Sequence, residues 1–384
     1  MSKPLKIVIS LLLLAVFAGT LTWALRGQRL ETAKQQEVIA VANATVLEGL
    51  IAVDVEPFFK DERVQRVLVA NRLPVHVLRV GSRDMAAKVV TKAGADKPGW
   101  DNTPDFFFPS GVVAANQIAD AARKANVTAT QVSPFHTPMV IASWEPIAKI
   151  LVANGLAAPM QPKVYSVDMA KLTALMLARK RWKDLKDASG YEVSRAVLVS
   201  TTDVRRSNSA AMYLALTSYA LAGDLITDRA GAQAAASKLA ELFKRQGYQE
   251  NYVNGNFDDY VAIGIGKTPM AFIYENQMVA HALNKKGIGA DMVLLYPKPT
   301  IINKVVFVAT NERAKALGEL LANNAELQGI AVEYGFRIGD TERFVNAIKP
   351  TGLAVQPRIT EVVDPPSFDI MAEMIELVSK EMTQ

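Results

Sequence analysis

The chain has 384 residues, 50% of them apolar and 21% charged, which excludes a disordered tail and fits two lobes rather than one ordinary core. Its formal charge of +5 is spread thinly, with no Lys/Arg block and no basic stretch interleaved with aromatics, which argues against a nucleic-acid partner. The absence of cysteine excludes disulfides, thiol catalysis, Cys-bound zinc and a lipid-modified N-terminal cysteine.

Lys3 and Lys6 precede an uncharged 18-residue run from Ile7 to Ala24, close to the length that spans a bilayer. Thr22 and Ala24 make a mediocre cleavage site, and Arg26 and Arg29 follow at once. Residues 1–26 are therefore expected to be a signal anchor, with a cleaved signal peptide as the alternative and a buried core helix as the bland one. Either of the first two outcomes puts the body on the periplasmic side of an inner membrane. Residues 27–43 read as a polar stalk.

From residue 44 strands and helices alternate. "TVLEGLIAVDV" reads as a strand, "DERVQRVLVAN" as a helix, "PVHVLRV" as a strand, and "SRDMAAKVVTKAG" as a helix closed by Gly94. "PDFFFPSG" is a buried strand and "VVAANQIADAARKAN" the next helix, so three βα units and a mainly parallel sheet are expected. "VSPFHTPMVIASW" is a long strand whose two prolines suit a segment leaving one lobe for another. Strands follow at "KVYSVD", "RAVLVSTT", "TPMAFIYE", "MVLLYP" and "NKVVFVAT", with helices between them, and "PSFDIMAEMIELVSKEM" closes the chain as an amphipathic helix. No internal repeat is present. A chain that crosses twice between lobes places a cleft at the crossings, where ligands of open α/β sheets sit.

Several short motifs fall at that cleft. In "VGSRDMA" Ser82 fits a helix N-cap, and the free N–H groups of such an end suit an anion or a polar ligand; an ordinary cap is the bland reading. "TTDVRRSNSAAMYLAL" repeats the arrangement, with Ser207, Asn208 and Ser209 all able to cap and Arg205 and Arg206 able to meet an oxyanion. Solvated arginines beside a capped helix remain the alternative, and the apolar half is core. His136 and Thr137 sit in the first crossing, and the histidines at 76, 136 and 281 have no metal-ligand spacing. "GIGKTPM" lacks the phosphate-loop spacing, and an apolar strand follows it where a helix is needed. Tyr274 with Glu275, and Tyr296, end strands and read either as pocket walls or as strand-end packing. No nucleophile elbow, catalytic constellation or cofactor motif appears, so an enzyme is the least favoured class.

The order of "FFKDERVQRVL", "GSRDMA", "PFHTPMVIASWEPIAKIL", "RWKDL", "TTDVRRSNSAAMYLAL", "GKTPMAFIYENQ" and "LLYPKPT" resembles the bacterial extracellular solute-binding proteins of the type II periplasmic-binding fold, the class that includes the molybdate and sulfate binders. The resemblance covers roughly residues 44–340. It implies an α/β protein of two lobes, joined by two crossover strands, that closes on a small molecule without chemistry. Carried onto this sequence, the binding groups are Ser82 with Arg83, Thr137, Ser207 to Ser209, Tyr274 and Tyr296. Two departures bear on the ligand. The segment after "EGLIAVDVEPFF" lacks the serine-rich first loop of molybdate binders, and Glu275 would repel an oxyanion unless it points away or pairs with Arg205 or Arg206. The lobes are expected at 44–135, 136–275 and 276–384, the last a return to the first lobe. The function expected is capture of a small anionic or polar ligand for a transporter or sensor. The alternative is an anchored envelope scaffold with an unused cleft.

Overall fold

A computed structural model describes residues 45–82, 84–89, 103–247, 255–284 and 288–383. The expected anchor, the stalk and Arg83 lie outside the described residues. Among the described residues no helix is long and apolar enough to cross a membrane.

The chain begins with strand β1 (Leu47–Ile51), the short helix α1 (Glu56–Lys60), α2 (Glu62–Ala70) and β2 (Val75–Arg79). Asp61 caps α2 by accepting from the Arg63 N–H. A single 3-10 turn at Ala86–Lys88 stands where a helix from Ser82 to Gly94 is expected, and residues 90–102 are outside the described set. Strand β3 (Phe106–Phe108) and helix α3 (Val112–Lys124) complete the third βα unit. Strands β2, β1 and β3 pair in parallel, so their carboxyl ends share one edge.

The long strand β4 (Thr130–Trp144) then carries the chain across the molecule. Its register shifts between Val132 and Phe135, a bulge that takes in Pro134. Beyond it come α4 (Glu145–Ala153), the antiparallel pair β5 (Ala157–Gln161) and β6 (Val164–Asp168), and α5 (Met169–Leu177). "RAVLVSTT" does not form the expected strand. It makes single bridges, Ala196 to Arg181 and Ser200 to Ala271, neither of which extends into a ladder. Helix α6 (Asn208–Ala222) is buried on every side from Ser209 to Ser218, which explains why its sequence is apolar all round. Helices α7 (Arg229–Lys244) and α8 (Gly255–Ile263) lead to β7 (Met270–Tyr274), α9 (Glu275–Leu283) and β8 (Met292–Lys298).

Strand β9 (Ile302–Ala309) returns the chain, followed by α10 (Glu312–Asn323), α11 (Ala325–Glu333), α12 (Thr341–Ile348) and the last helix, α13 (Phe368–Thr383). The strand order is β2-β1-β3-β9-β4-β8-β6-β5, with β7 on β4. The sheet is mixed rather than mainly parallel: β4 runs antiparallel to β9 through Pro138 and then antiparallel to both β7 and β8. One strand thus belongs to both lobes. The strand pairings set the second passage between β8 and β9, later than residue 276, and α13 packs on α7 of the second lobe.

One apolar core runs through both lobes, and a smaller one gathers around Leu50, Phe107 and Ile118 of the first. Under the first sheet, Phe58, Phe59, Phe106, Phe108, Phe135 and Phe307 form a continuous aromatic cluster. Each such side chain contributes about 1.5–3 kcal/mol by leaving water. In the second lobe Tyr213 packs edge-on against both Phe243 and Phe272.

Candidate functional site

The seam between the lobes is built from chain ends. On the first lobe, Asp54 follows β1, Ser82 follows β2, and Ser110 and Gly111 follow β3. Parallel strands deliver all four to one edge. The Ser110 N–H donates to Ser82 Oγ at 2.9 Å, and the Ser110 hydroxyl donates to Asp54 Oδ1 at 2.5 Å. Ser82 is therefore a loop tie rather than the helix cap the sequence suggests. Burial raises the Asp54 pKa above the usual carboxylate range, against the lowering effect of Ser110, and Asp54 Oδ2 has no hydrogen-bond partner.

Across the seam, α6 opens at Asn208. The Asn208 amide Nδ2 donates to the Tyr274 hydroxyl at 3.0 Å, and Tyr274 ends β7. Gly111 faces Asn208 so closely that a Cβ added to it would lie 3.3 Å from Asn208 Nδ2 and 2.8 Å from Asn303 Oδ1. Its φ of +93° also favours glycine, so the residue is required twice over.

The crossing strands supply the floor. Thr137 on β4 and Asn303 on β9 are register partners and share a face. Thr137 Oγ1 accepts the Asn276 N–H at 3.0 Å and so caps α9 from another strand. Asn303 is 1% exposed, yet neither its Oδ1 nor its Nδ2 has a partner, and the same holds for the buried Asn276 Oδ1. A buried amide of this kind costs about 1–3 kcal/mol when left unpaired. A cavity of about 230 Å³ opens beside Asn276, walled by Val53, Asp54 and Tyr334 from one lobe and by Phe257, Tyr274 and Asn276 from the other, while Thr137 and Asn303 are not among its walls.

Helix capping is uneven, and α1 and α4 start without a side-chain cap. Asp61, Asp168, Asp228, Asn311, Asn324 and Asp340 each cap a helix by a side-chain hydrogen bond. Helices α3 and α6, whose starts face each other across the seam, have no such cap. Their N-terminal dipoles point at the same space.

Of the residues expected at the site, the structure thus brings Ser82, Thr137, Asn208 and Tyr274 to the seam. Others are elsewhere. The hydroxyls of Ser207 and Ser209 turn inward and form a closed triangle with Thr202, at 2.7, 2.8 and 2.9 Å. Arg205 is exposed and holds the buried Asp203 at 2.5 Å, and Arg206 beside it is also exposed. Burial raises the Asp203 pKa, but the Arg205 hydrogen bonds outweigh it and the net shift is downward.

Glu275 pairs with neither arginine. It is 0% exposed and lies behind the hinge, where Arg337 Nε donates to Oε2 at 2.5 Å and Nη2 to Oε1 at 2.8 Å. The Tyr296 hydroxyl donates to the same carboxylate, so Glu275 and Tyr296 are committed to each other. Burial and the adjacent carboxylate hold the Tyr296 pKa well above its ordinary value. Arg337 also exchanges backbone hydrogen bonds with His136, at 2.9 and 2.8 Å. Burial, then Arg337, lowers the His136 pKa.

Asp54, Ser110, Asn276, Asn303 and Arg337 are not singled out by sequence reasoning. For Asp54 and Ser110 the clue is their place just after parallel strands. Asn303 is the one uncharged polar residue in "INKVVFVA", a faint mark. Among the described residues no group of three or more His, Asp or Glu is placed to hold a metal.

Comparison by sequence found no match, either to a protein-family model or to a curated protein. Comparison of folds did. The periplasmic binding protein AfuA from Actinobacillus pleuropneumoniae, solved with fructose-6-phosphate bound, is similar at a TM-score of 0.51 and 13% identity, over 88% of this chain and 98% of that one. Apo ferric ion-binding protein A from Pasteurella haemolytica is similar at 0.50 and 11% identity, over 88% and 96%. At such identities the likeness is one of fold. The chain has the two-lobed α/β architecture of the type II periplasmic binding proteins.

Proposed function

We propose that this chain is a non-enzymatic solute-binding protein that captures a small polar or anionic ligand in the seam between its lobes. One observation carries the reading: Asn303, fully buried on the crossing strand, has an amide with neither atom paired. Native proteins rarely leave such a group unsatisfied without a use for it. Asn276 Oδ1 and Asp54 Oδ2 repeat the pattern nearby, and the uncapped starts of α3 and α6 add donors. A ligand that pairs these groups bridges both lobes and so favours the closed arrangement. The solved proteins of this fold named above are binding proteins, which agrees. The reading includes a periplasmic location, a tether through residues 7–24, and delivery of the ligand to a membrane transporter or sensor.

The test is native mass spectrometry of the full chain, purified gently, followed by thermal-shift screening with sugars, sugar phosphates, inorganic oxyanions and amines. A saturating ligand at 100 times its Kd adds about 2.7 kcal/mol of stability. That gain is expected in the wild type and absent in Asn303→Leu. A ligand whose effect survives Asn303→Leu and Asn208→Ala together would overturn the site. Membrane fractionation with N-terminal sequencing tests the tether.

A further inference from the structure

A second cavity, of about 400 Å³, opens in the second lobe at the other end of β7. Thr268, Pro269 and Met270 line it, whereas Tyr274, at the far end of the same strand, lines the seam. A five-residue strand rising about 3.3 Å per residue sets the two sites roughly 13 Å apart.

The lining is electropositive. Arg195, Arg245 and Lys267 face a single carboxylate, Asp259. That carboxylate is taken by Lys267 at 2.6 Å. Arg195 is oriented by main-chain carbonyls, donating to Gly266 O at 2.5 Å and Lys267 O at 3.3 Å, neither of which neutralises it. Arg245 is the telling residue. Its Nη1 donates to Met176 O at 2.7 Å, while its Nη2 is buried and has no partner. Burial, then the nearby Arg179, pulls the Arg245 pKa below its ordinary value against the raising effect of Glu241, though a guanidinium keeps its proton in a protein. A buried charged donor without an acceptor is among the costlier arrangements a fold can hold.

We propose that this cavity is an oxyanion site, taking a carboxylate or phosphoryl group with Arg245 Nη2 as its buried donor and Arg195 and Lys267 as flanking charge. An arginine fork matches the planar pair of oxygens that such groups present. The site is independent of ligand capture in the seam. The oxyanion can come from a free small molecule or from an acidic side chain of a docking protein, and the chemistry is shared.

The test titrates the full chain with inorganic phosphate, and separately with a hexaglutamate peptide, at constant ionic strength set with chloride. Saturable binding to the wild type is expected, weakened at least tenfold in Arg245→Gln and severalfold in Arg195→Gln. Arg229→Gln, which removes an exposed positive charge on α7 outside both cavities, is expected to bind phosphate as the wild type does. Tighter binding of hexaglutamate than of phosphate assigns the site to a protein partner, and the reverse order to a free oxyanion. Should Arg245→Gln not fold, Arg195→Gln combined with Lys267→Gln carries the test, with the same tenfold loss expected. No saturable binding of either probe to the wild type overturns the proposal, as does equal affinity in the arginine variants. Loss of phosphate binding in Asn303→Leu would place the anion in the seam instead and overturn it as well.

Discussion

Glu275 and Asn276 are neighbours in the chain, but they meet opposite surroundings on the two sides of the hinge. Behind it, the Glu275 carboxylate takes two hydrogen bonds from Arg337 and one from Tyr296, and Arg337 gives two further hydrogen bonds to the carbonyls of Gln356 and Pro357. In front of it, Asn276 Oδ1, both amide atoms of Asn303 and Asp54 Oδ2 are buried without partners. The same strands and the same helix start form both faces, so burial alone does not account for the difference. A polar cluster that is complete holds a fold in one arrangement, whereas a polar cluster that is incomplete is poised to be completed from outside.

The largest effect that sharpens this contrast is expected behind the hinge. Arg337→Met strands a buried carboxylate and should cost about 3–5 kcal/mol in chemical denaturation, while the double change with Glu275→Leu should recover much of it. A loss under about 1 kcal/mol would show that the rear cluster is not the rigid half of the comparison. In front, Asn303→Leu should act with the opposite sign. Replacing an unpaired buried amide by an apolar side chain of similar size is expected to stabilise the ligand-free protein by about 1–3 kcal/mol and to abolish ligand-induced stabilisation. Destabilisation by that change would mean that the amide is already satisfied.

Smaller effects test the rim and the titration. Arg205 is 46% exposed, so Arg205→Ala should cost about 1 kcal/mol or less, through Asp203, and leave ligand affinity within twofold of wild type. A tenfold loss of affinity would bring the arginines back into the site. The smallest effect expected is that of Asp54→Asn. Because the folded-state pKa of Asp54 is raised, the native state holds its proton after the unfolded chain has released it. Stability from this group therefore falls as pH rises from the ordinary carboxylate range through the raised value. Asp54→Asn should flatten that fall, so its stability relative to wild type grows from about pH 4 towards neutrality. A constant difference across that range would show that Asp54 is not desolvated.

Much of the fold is legible in the sequence because its signals are local. Apolar periodicity finds α2, α3, α7 and α10, and the phenylalanine run finds β3. The prolines of β4 correctly mark a strand shared between lobes. "RAVLVSTT" fails because an extended, apolar segment becomes a strand only where its pairing extends into a ladder, and partners are chosen elsewhere in the chain. The seam is legible in the same measure. Strand ends and helix starts point to Ser82, Thr137, Asn208 and Tyr274, but nothing local tells a hydroxyl which way to turn. Ser207 and Ser209 satisfy each other through Thr202, and Glu275 finds Arg337 62 residues away. Pairings at that distance decide which polar groups remain open, and they are set by topology.

The segment between α12 and α13 has a mechanical consequence. It leaves the first lobe's side, binds Arg337 through the carbonyls of Gln356 and Pro357, pairs Val362 with Thr300, and ends in α13 clasped against α7. The lobes are therefore spanned three times, twice by strands and once by this strap. A rotation that parts the lobes about an axis through these three spans lengthens none of them much. Twisting or sliding one lobe over the other would stretch the strap at once. Opening about these spans is thus the motion that the connections resist least.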